Sequence, residues 1–486
     1  MVIALNALTI MESLNAAPPS EAAVGETASM VGFTTSQGLE AQGTLIRLTP
    51  QSVTFELYSP QTVLRLSEVL SEFRIFADAR PVYSGKAVVS GMMNAGTVTV
   101  CEVTLTGSLL DLDLFELGSP EKVLPEGFKA FLGRWQHFHR VCSKYKLAVA
   151  DLQSFLEELR LWLDQVELGV RGLPSGDRLQ TERAIVRALP ALPAITALFE
   201  RFESVAASVP KDVAATHSAF ARRQLHPLLL CCPFMHRIYT KPLGYAGDYE
   251  MIEMINRNDC EGSSLFAKLL QVFILDQAPA RAVRNRVGYF VNRFIEESLR
   301  VSNLGRVANI FSLGCGPAVE VQTFLAEHAL SDRAQFRLLD FNEETLRHTA
   351  HRMEDLKRRY NRKTPINLVK KTVHHLLKEA GKPRAGDPGY DLIYCSGLYD
   401  YLSDRVCKAL NTYLYDQLLP GGELIITNFD PSNPIRNIQE HLFDWFLIYR
   451  DGKQLAELAP AQTAGDQRMV RAEYTGCNIF LEVRKP

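Results

Sequence analysis

The sequence predicts an α/β fold in its C-terminal part, a mostly parallel sheet with helices on both faces, preceded by a helical region and a small N-terminal β-barrel. Three patterns carry that expectation. From about Arg306 onward, strand-like apolar runs alternate with helical ones, the order that builds a helix-covered parallel sheet. Between Ala41 and about Gly107, short runs rich in β-branched and aromatic residues are separated by glycine-containing turns, as in a small barrel. Between Pro125 and about Pro233, apolar residues recur at helical spacing.

Residues 1–38 read as a flexible leader, because Glu12 to Gly38 is rich in Ala, Ser, Gly and Pro and has no period. Residues 39–118 hold the runs GTLIRL, SVTFELY, FRIFADAR, GKAVVSGMM and TVTVCEVTL. This stretch resembles a PilZ-like β-barrel. The nucleotide-binding turn of that family would fall at Thr49-Pro50-Gln51-Ser52-Val53, which has neither the acidic or amide residue nor the glycine. Cyclic dinucleotide binding is therefore not expected, and a structural or docking module is.

Residues 119–234 form the helical region. Leu152, Phe155, Leu156, Leu159 and Leu163 follow i, i+3, i+4, i+7 spacing and give one helix an apolar face. Gly169, Gly172, Pro174 and Gly176 end it, and a second helical stretch runs from about Asp177. A linker and a homodimerisation hairpin both fit this pattern. His137 and His139 stand two apart on a helix, and His374 and His375 are adjacent, so neither pair shares a face on which to hold a metal.

Residues 235–486 carry the chemistry, beginning with lid helices. The apolar strand Val307–Leu313 opens directly into Gly314-Cys315-Gly316-Pro317-Ala318, and Val319 to Ala329 is helical. Such a turn brings backbone close to a ligand without interference from a Cβ. Val319 stands where a dinucleotide-binding loop wants a third glycine, and no Gly-Lys-Ser/Thr follows, so those two loops are excluded. The second strand, Phe336-Arg337-Leu338-Leu339-Asp340, ends in a carboxylate 26 positions after Gly314. An acidic side chain there accepts hydrogen bonds from both hydroxyls of a ribose. Phe341 and Asn342 follow, and Asn342 also suits a helix N-cap. A third strand covers Ile366–Val373, a fourth Tyr390 to Gly397, and a fifth, announced by Pro420-Gly421-Gly422, Glu423–Phe429; Val470–Tyr474 and Asn478–Val483 close as a hairpin.

In this order the segments resemble the Rossmann-like sheet of class I S-adenosylmethionine (SAM)-dependent methyltransferases. That resemblance implies SAM as cofactor, with Gly314, Cys315, Gly316, Asp340, Phe341, Asn342 and Ser396 on the cofactor side and Leu398 and Tyr399 beside the acceptor. The segment Tyr239-Thr240-Lys241-Pro242-Leu243-Gly244-Tyr245-Ala246-Gly247-Asp248-Tyr249-Glu250 and the run Asp444-Trp445-Phe446-Leu447-Ile448-Tyr449-Arg450 are similar to the bacterial methyltransferases named for biosynthesis of extracellular-factor 3-hydroxypalmitic acid methyl ester. This second resemblance covers about Met235 to Pro486 and implies the carboxylate of a 3-hydroxy fatty acid as acceptor and a methyl-ester signal as product.

A fatty carboxylate is ionised near neutral pH, so it needs orientation ~3–3.5 Å from the methyl carbon but no general base. Tyr239, Tyr245 and Tyr249 are the candidates to orient it by hydroxyl donation. Asp248 would repel a carboxylate, so it contacts the cofactor's amino group or orders the loop. One of Arg281, Arg284 and Arg286, with Arg286 the choice, pairs with the methionine carboxylate of SAM or is simply a solvated helix charge. Trp445 is helix core or part of a long-chain substrate surface.

A net charge of −2 gives no overall field for nucleic acid or anionic membranes. The nine cysteines show no CxxC pair, which fits a reducing cytoplasm, and no apolar run approaches the ~20 residues of a membrane span. Two other readings stay open: an N- or O-methyltransferase acting on another metabolite, and a regulatory SAM-binding protein with a ligand-sensing barrel.

Overall fold

The protein was analysed as a computed structural model, which describes residues 30–49, 51–57, 64–77, 80–95, 98–106, 128–129, 132, 141–189, 191–379 and 389–486. The chain divides into two units. One comprises Met1–Thr62 and Val69–Gly133, the other Val63–Glu68 and Arg134–Pro486. His137, His139 and residues 1–29 of the expected leader lie outside the described residues.

The smaller unit is a closed barrel of six strands: β1 (Met30–Thr34), β2 (Glu40–Leu48), β3 (Ser52–Leu57), β4 (Val69–Ala77), β5 (Arg80–Ala95) and β6 (Val98–Leu105). They are arranged in the order β1-β2-β3-β6-β5-β4, every pair antiparallel. Alternate residues point inward, so Val31 and Phe33 of β1, Val53, Phe55 and Leu57 of β3, and Phe73 and Ile75 of β4 are buried. Phe33, Phe55, Phe73 and Tyr83 form a chain of ring contacts 5.4–6.3 Å apart. The first strand was expected to be leader. Its five residues are too few to display a period, yet they close the barrel between β2 and β4.

In the larger unit, α1 (Ser143–Val170), α2 (Ser175–Ala188), α3 (Ala191–Ala207), α4 (Lys211–Leu229), α5 (Pro233–Thr240), α6 (Tyr249–Arg257), α7 (Leu265–Leu275) and α8 (Ala278–Ser302) precede a seven-stranded sheet. The strands are β7 (Ala308–Leu313), β8 (Ala334–Asp340), β9 (Ile366–Lys370), β10 (Tyr390–Cys395), β11 (Leu418–Phe429), β12 (Arg468–Ala472) and β13 (Asn478–Arg484). Their order is β12-β13-β11-β10-β7-β8-β9. The pairs from β11 to β9 are parallel, and β13 runs antiparallel to both neighbours. This is the expected Rossmann-like sheet with its hairpin edge. The strand order reverses between β7 and β10, the switch point at which such sheets take ligands. The helices among the strands are α9 (Val319–Glu327), α10 (Glu343–Tyr360), α11 (Val373–Glu379), α12 (Asp404–Asp416), α13 (Arg436–Phe443) and α14 (Gly452–Ala456).

Strand residues alternate between two cores. Phe311, Leu313, Ile393 and Ile426 pack on the face covered by α12, while Ile310, Leu338, Leu392 and Tyr394 pack with Phe290 and Phe294 of α8. The Pro420-Gly421-Gly422 segment, expected as a turn before the fifth strand, lies inside β11, where the register with β10 shifts.

The helical region does not stand apart. Leu152, Leu156 and Leu163 of α1 share one core with Phe199 and Phe202 of α3, Leu269 of α7 and Leu442 and Trp445 beyond β11. The apolar face expected at a linker or a dimer is thus covered from within the unit. Two cations and a histidine that burial keeps neutral complete this packing at the end of α13, whose last carbonyls have no partner in the helix. Arg222 Nε donates to His441 O at 3.0 Å, His226 Nε2 to Leu442 O at 2.7 Å and Lys241 Nζ to Phe443 O at 3.0 Å. Positive charge at a helix C-terminus also complements the helix dipole. Among the described residues, no helix is long and apolar enough to cross a membrane.

Candidate active site

The chain leaves β7 through Gly314 (φ 67°), Cys315 and Gly316 (φ 53°), then enters α9 by way of Ala318 (φ 50°). Left-handed backbone at the first two positions is strained for any residue with a Cβ. At Gly314 such an atom would also come within 3.3 Å of the Leu398 side chain. The N–H groups of Gly314 and Cys315 both donate to Leu339 O, at 2.8 and 2.9 Å, so the turn is folded back on the end of β8.

Asp340 stands at that end, 6% exposed. Its Oδ2 accepts from Gly316 N at 3.1 Å and its Oδ1 from Asn342 N at 2.9 Å. Burial pushes the carboxyl above its usual range, while the N–H groups of Asn342 and Gly316 and the charge of Arg65 pull it back. Asn342 is the N-cap of α10, its Oδ1 accepting from Thr345 N at 3.0 Å. Cys315 is buried and its thiol is pushed well above the ordinary value, so it packs rather than reacts.

Phe341 turns its ring toward Tyr245, 5.1 Å away between centroids. The Arg65 guanidinium lies 4.2 Å from the Phe341 ring and 5.0 Å from that of Tyr245. Of the three tyrosines in the candidate acceptor loop, only Tyr245 meets Phe341. Tyr249 donates to Glu344 at 2.9 Å and its ring lies 4.6 Å from His348, which ties α6 to α10. Tyr239 packs its ring against His226 at 4.3 Å, in the helical core. Asp248 orders the loop: it caps α6 by accepting from Met251 N at 2.9 Å and pairs with Arg237 at 2.8 Å. Gly247 (φ 79°) lets this loop pass under Tyr401, whose hydroxyl would be 2.8 Å from an added Cβ.

At the end of β10, Ser396 is half-buried and the Gly397 N–H donates to Thr427 Oγ1 at 2.9 Å. Arg286 reaches this point from α8, with Nη1 3.1 Å from where a Gly397 Cβ would stand. It is 7% exposed, and among the described residues no carboxylate closes an ion pair on it. Burial drives its guanidinium pKa down, and the fields of Asp400 and Glu320 oppose that shift. Its two sequence neighbours are differently engaged. Arg281 Nε donates to Asp276 O at 2.7 Å and Arg284 Nη1 to Leu275 O at 2.9 Å, both at the end of α7.

One expected acceptor contact, Tyr399, is corrected, and Trp445, read as core or substrate surface, packs in the core. Tyr399 points away from the edge into the core, where its hydroxyl donates to Asn411 Oδ1 at 2.5 Å. The chain after Gly397 tightens into a 3₁₀ turn at Tyr399–Tyr401, which rotates that side chain under α12. Trp445 is core as well, its indole N–H donating to the Tyr401 hydroxyl at 3.0 Å. Leu398 stays at the edge, packed over Gly314.

Sequence reasoning missed Arg65, Tyr401 and Arg450. Arg450 is fully buried, donating to Tyr399 O, Asn428 Oδ1, Leu402 O and Asp404, and so fixes the loop after β10. Its place at the end of the Asp444–Arg450 run was the available signal. Arg65 had none, since it lies in the β3–β4 connection, remote in sequence from the residues it touches. Among the described residues, no group of three His, Cys, Asp or Glu could hold a metal ion.

No protein-family model matches the chain, and no curated protein matches it in sequence. Solved structures do resemble it. A protein from Bordetella parapertussis described as a possible exported protein is 17% identical, with a TM-score of 0.40 over 62% of this chain and 99% of its own. The N-methyltransferase NodS from Bradyrhizobium japonicum, crystallised with S-adenosyl-L-homocysteine, is 13% identical, with a TM-score of 0.29 over 49% of this chain and 98% of its own. Magnesium protoporphyrin IX methyltransferase from Synechocystis, with bound SAM, is 12% identical, with a TM-score of 0.29 over 43% of this chain and 83% of its own. At these scores the likenesses carry no conclusion about activity.

Proposed function

We propose that this protein binds SAM at the switch-point edge of its sheet and transfers the methyl group to a small-molecule acceptor, the carboxylate of a 3-hydroxy fatty acid, giving a methyl ester. The carrying observation is the joined pair of Asp340 and the Gly314–Gly316 turn. It presents a buried carboxylate and close-approaching backbone at one strand edge, the combination that suits a ribose and the chain attached to it.

The residues present fit the cofactor. Asp340 has acceptor capacity beyond its two backbone donors, because an ionised carboxylate offers about four lone-pair sites. Phe341 and Tyr245 supply apolar ring surface beside it. Arg286, desolvated and without an ion pair among the described residues, suits the methionine carboxylate. Bound SAM supplies an electrophilic methyl group. The chain's own task is to orient the acceptor and exclude water. The buried tyrosine hydroxyls of Tyr245 and Tyr401 are pushed up by burial and stay protonated at neutral pH, so they can donate to an acceptor but not take its proton. That favours an acceptor already ionised. Nine free cysteines are consistent with a reducing, cytoplasmic setting.

One observation favours a second reading, transfer to a hydroxyl or amine. Such an acceptor needs a base, and Asp400, a buried carboxyl that accepts from Phe429 N at 2.7 Å and lies in the field of Arg286, is pushed up to about 7 by burial. Incubation with methyl-labelled SAM and matched 3-hydroxy acids, alcohols and amines separates the two. Label in base-labile esters of the acids is expected; label only in amines or alcohols would overturn the carboxylate reading.

A further inference from the structure

The described part of the connection between barrel strands β3 and β4, residues 64–68, does not lie at the surface. Strand connections normally run over the surface, where water satisfies their backbone, but Leu64, Arg65, Leu66, Ser67 and Glu68 are all buried, and they group with the larger unit. Three ties hold them. Leu66 N donates to Tyr401 O at 3.3 Å. Ser67 Oγ donates to Phe446 O at 3.0 Å and accepts from Phe446 N at 2.5 Å. The Arg65 guanidinium covers the rings of Phe341 and Tyr245. Ser67 adopts a left-handed φ of 58°, a conformation a serine keeps only when its surroundings hold it. The Glu68 carboxylate turns back to accept from Arg65 N at 2.9 Å, which sets the arginine's direction of exit.

We propose that Arg65 is a positioning residue of the adenosyl site, held by the β3–β4 connection so that its guanidinium fixes Phe341 and Tyr245 and brings a cation into the field of Asp340. The inference rests on the adenosyl reading above and adds to it a wall contributed by Val63–Glu68, which belongs to the larger unit. Asp340 accepts most strongly from ribose hydroxyls when it is ionised, and burial opposes ionisation. The other groups around it do not supply the compensating charge. Tyr245 and Cys315 are held neutral by burial, and Lys370, its register partner on β9, is paired with Glu343 at 2.8 Å. Among the described residues Arg65, which also lies 3.9 Å from the Glu68 carboxylate, is the cation whose charge opposes that burial.

The test is calorimetric titration of the full chain with S-adenosylhomocysteine between pH 5 and 9, in the wild type, Arg65→Met and Arg65→Lys. Loss of the cation is expected to weaken binding about tenfold near neutral pH. It should also move the acid limb of the affinity profile to higher pH, because Asp340 then protonates sooner. Lysine should restore the limb, which needs charge, but only part of the affinity, which needs a planar group over the rings. In the wild type, the ligand should slow amide exchange at Leu66. Wild-type affinity and limb in a folded Arg65→Met, or unchanged exchange at Leu66, would overturn the positioning role. If the wild type binds no S-adenosylhomocysteine, the adenosyl reading falls first and takes the proposal with it.

Discussion

The backbone N–H of Gly316 donates to Asp340 Oδ2 at 3.1 Å, which joins the turn after β7 to the tip of β8. Each partner holds the other where a ligand lying across both strands would need it. Asp340→Ala therefore removes the proposed ligand contact and the brace of the turn together. S-adenosylhomocysteine affinity should fall roughly thirtyfold or more, the equivalent of about 2 kcal/mol, in a protein that still unfolds cooperatively. Calorimetry and a thermal melt check both halves.

Arg286 approaches Gly397 with no ion-pair partner among the described residues. If it meets the amino-acid end of the cofactor, Arg286→Met should weaken S-adenosylhomocysteine about tenfold or more. The binding of 5′-methylthioadenosine, which lacks that end, should not change. Equal losses for both ligands would assign the arginine to the fold instead.

Tyr399 is placed in the core by its bond to Asn411, whose Nδ2 donates to Leu458 O at 2.7 Å. Tyr399→Phe should lower unfolding free energy by about 1–2 kcal/mol, the cost of a buried acceptor left unpaired. Turnover per folded molecule should stay at the wild-type value. A fall in turnover without loss of stability would return the residue to the acceptor site.

Asp400 is pushed up to about 7 by burial, a shift opposed by the Phe429 N–H and by the charges of Arg286 and Arg450. Its unfolded value is about 3.9, so the folded state binds the proton more tightly. The stability this provides is fully present below about pH 4 and is lost as pH rises through about 7. Asp400→Asn keeps an acceptor for the Phe429 N–H without the charge. Its melting temperature should gain on the wild type across that window and hold a constant difference above it.

Much of the sheet was legible because its signals are local. Gly314 and Gly316 punctuate a strand end, Asp340 closes a short apolar run, and Asn342 caps the next helix as its residue type suggests. What escaped depends on contacts far apart in sequence. The direction of Tyr399 is decided by α12 and not by its own neighbours. The covering of α1 is decided by residues as distant as Leu442. The five residues of β1 read as leader in the sequence because a short strand inside a Gly- and Ser-rich stretch has no periodicity to show. Arg65 was the hardest to foresee, since nothing in Leu64-Arg65-Leu66-Ser67 announces aromatic partners at positions 245 and 341.

Ser67 and Phe446 are separated by 379 positions in the chain. During synthesis the serine leaves the ribosome long before its partner exists, so the barrel can close while this part of its connection still lacks the surface it will rest on. Fragments that begin at the first helix would lack that tie altogether. Expressing the C-terminal residues alone would thus yield a protein missing one internal brace.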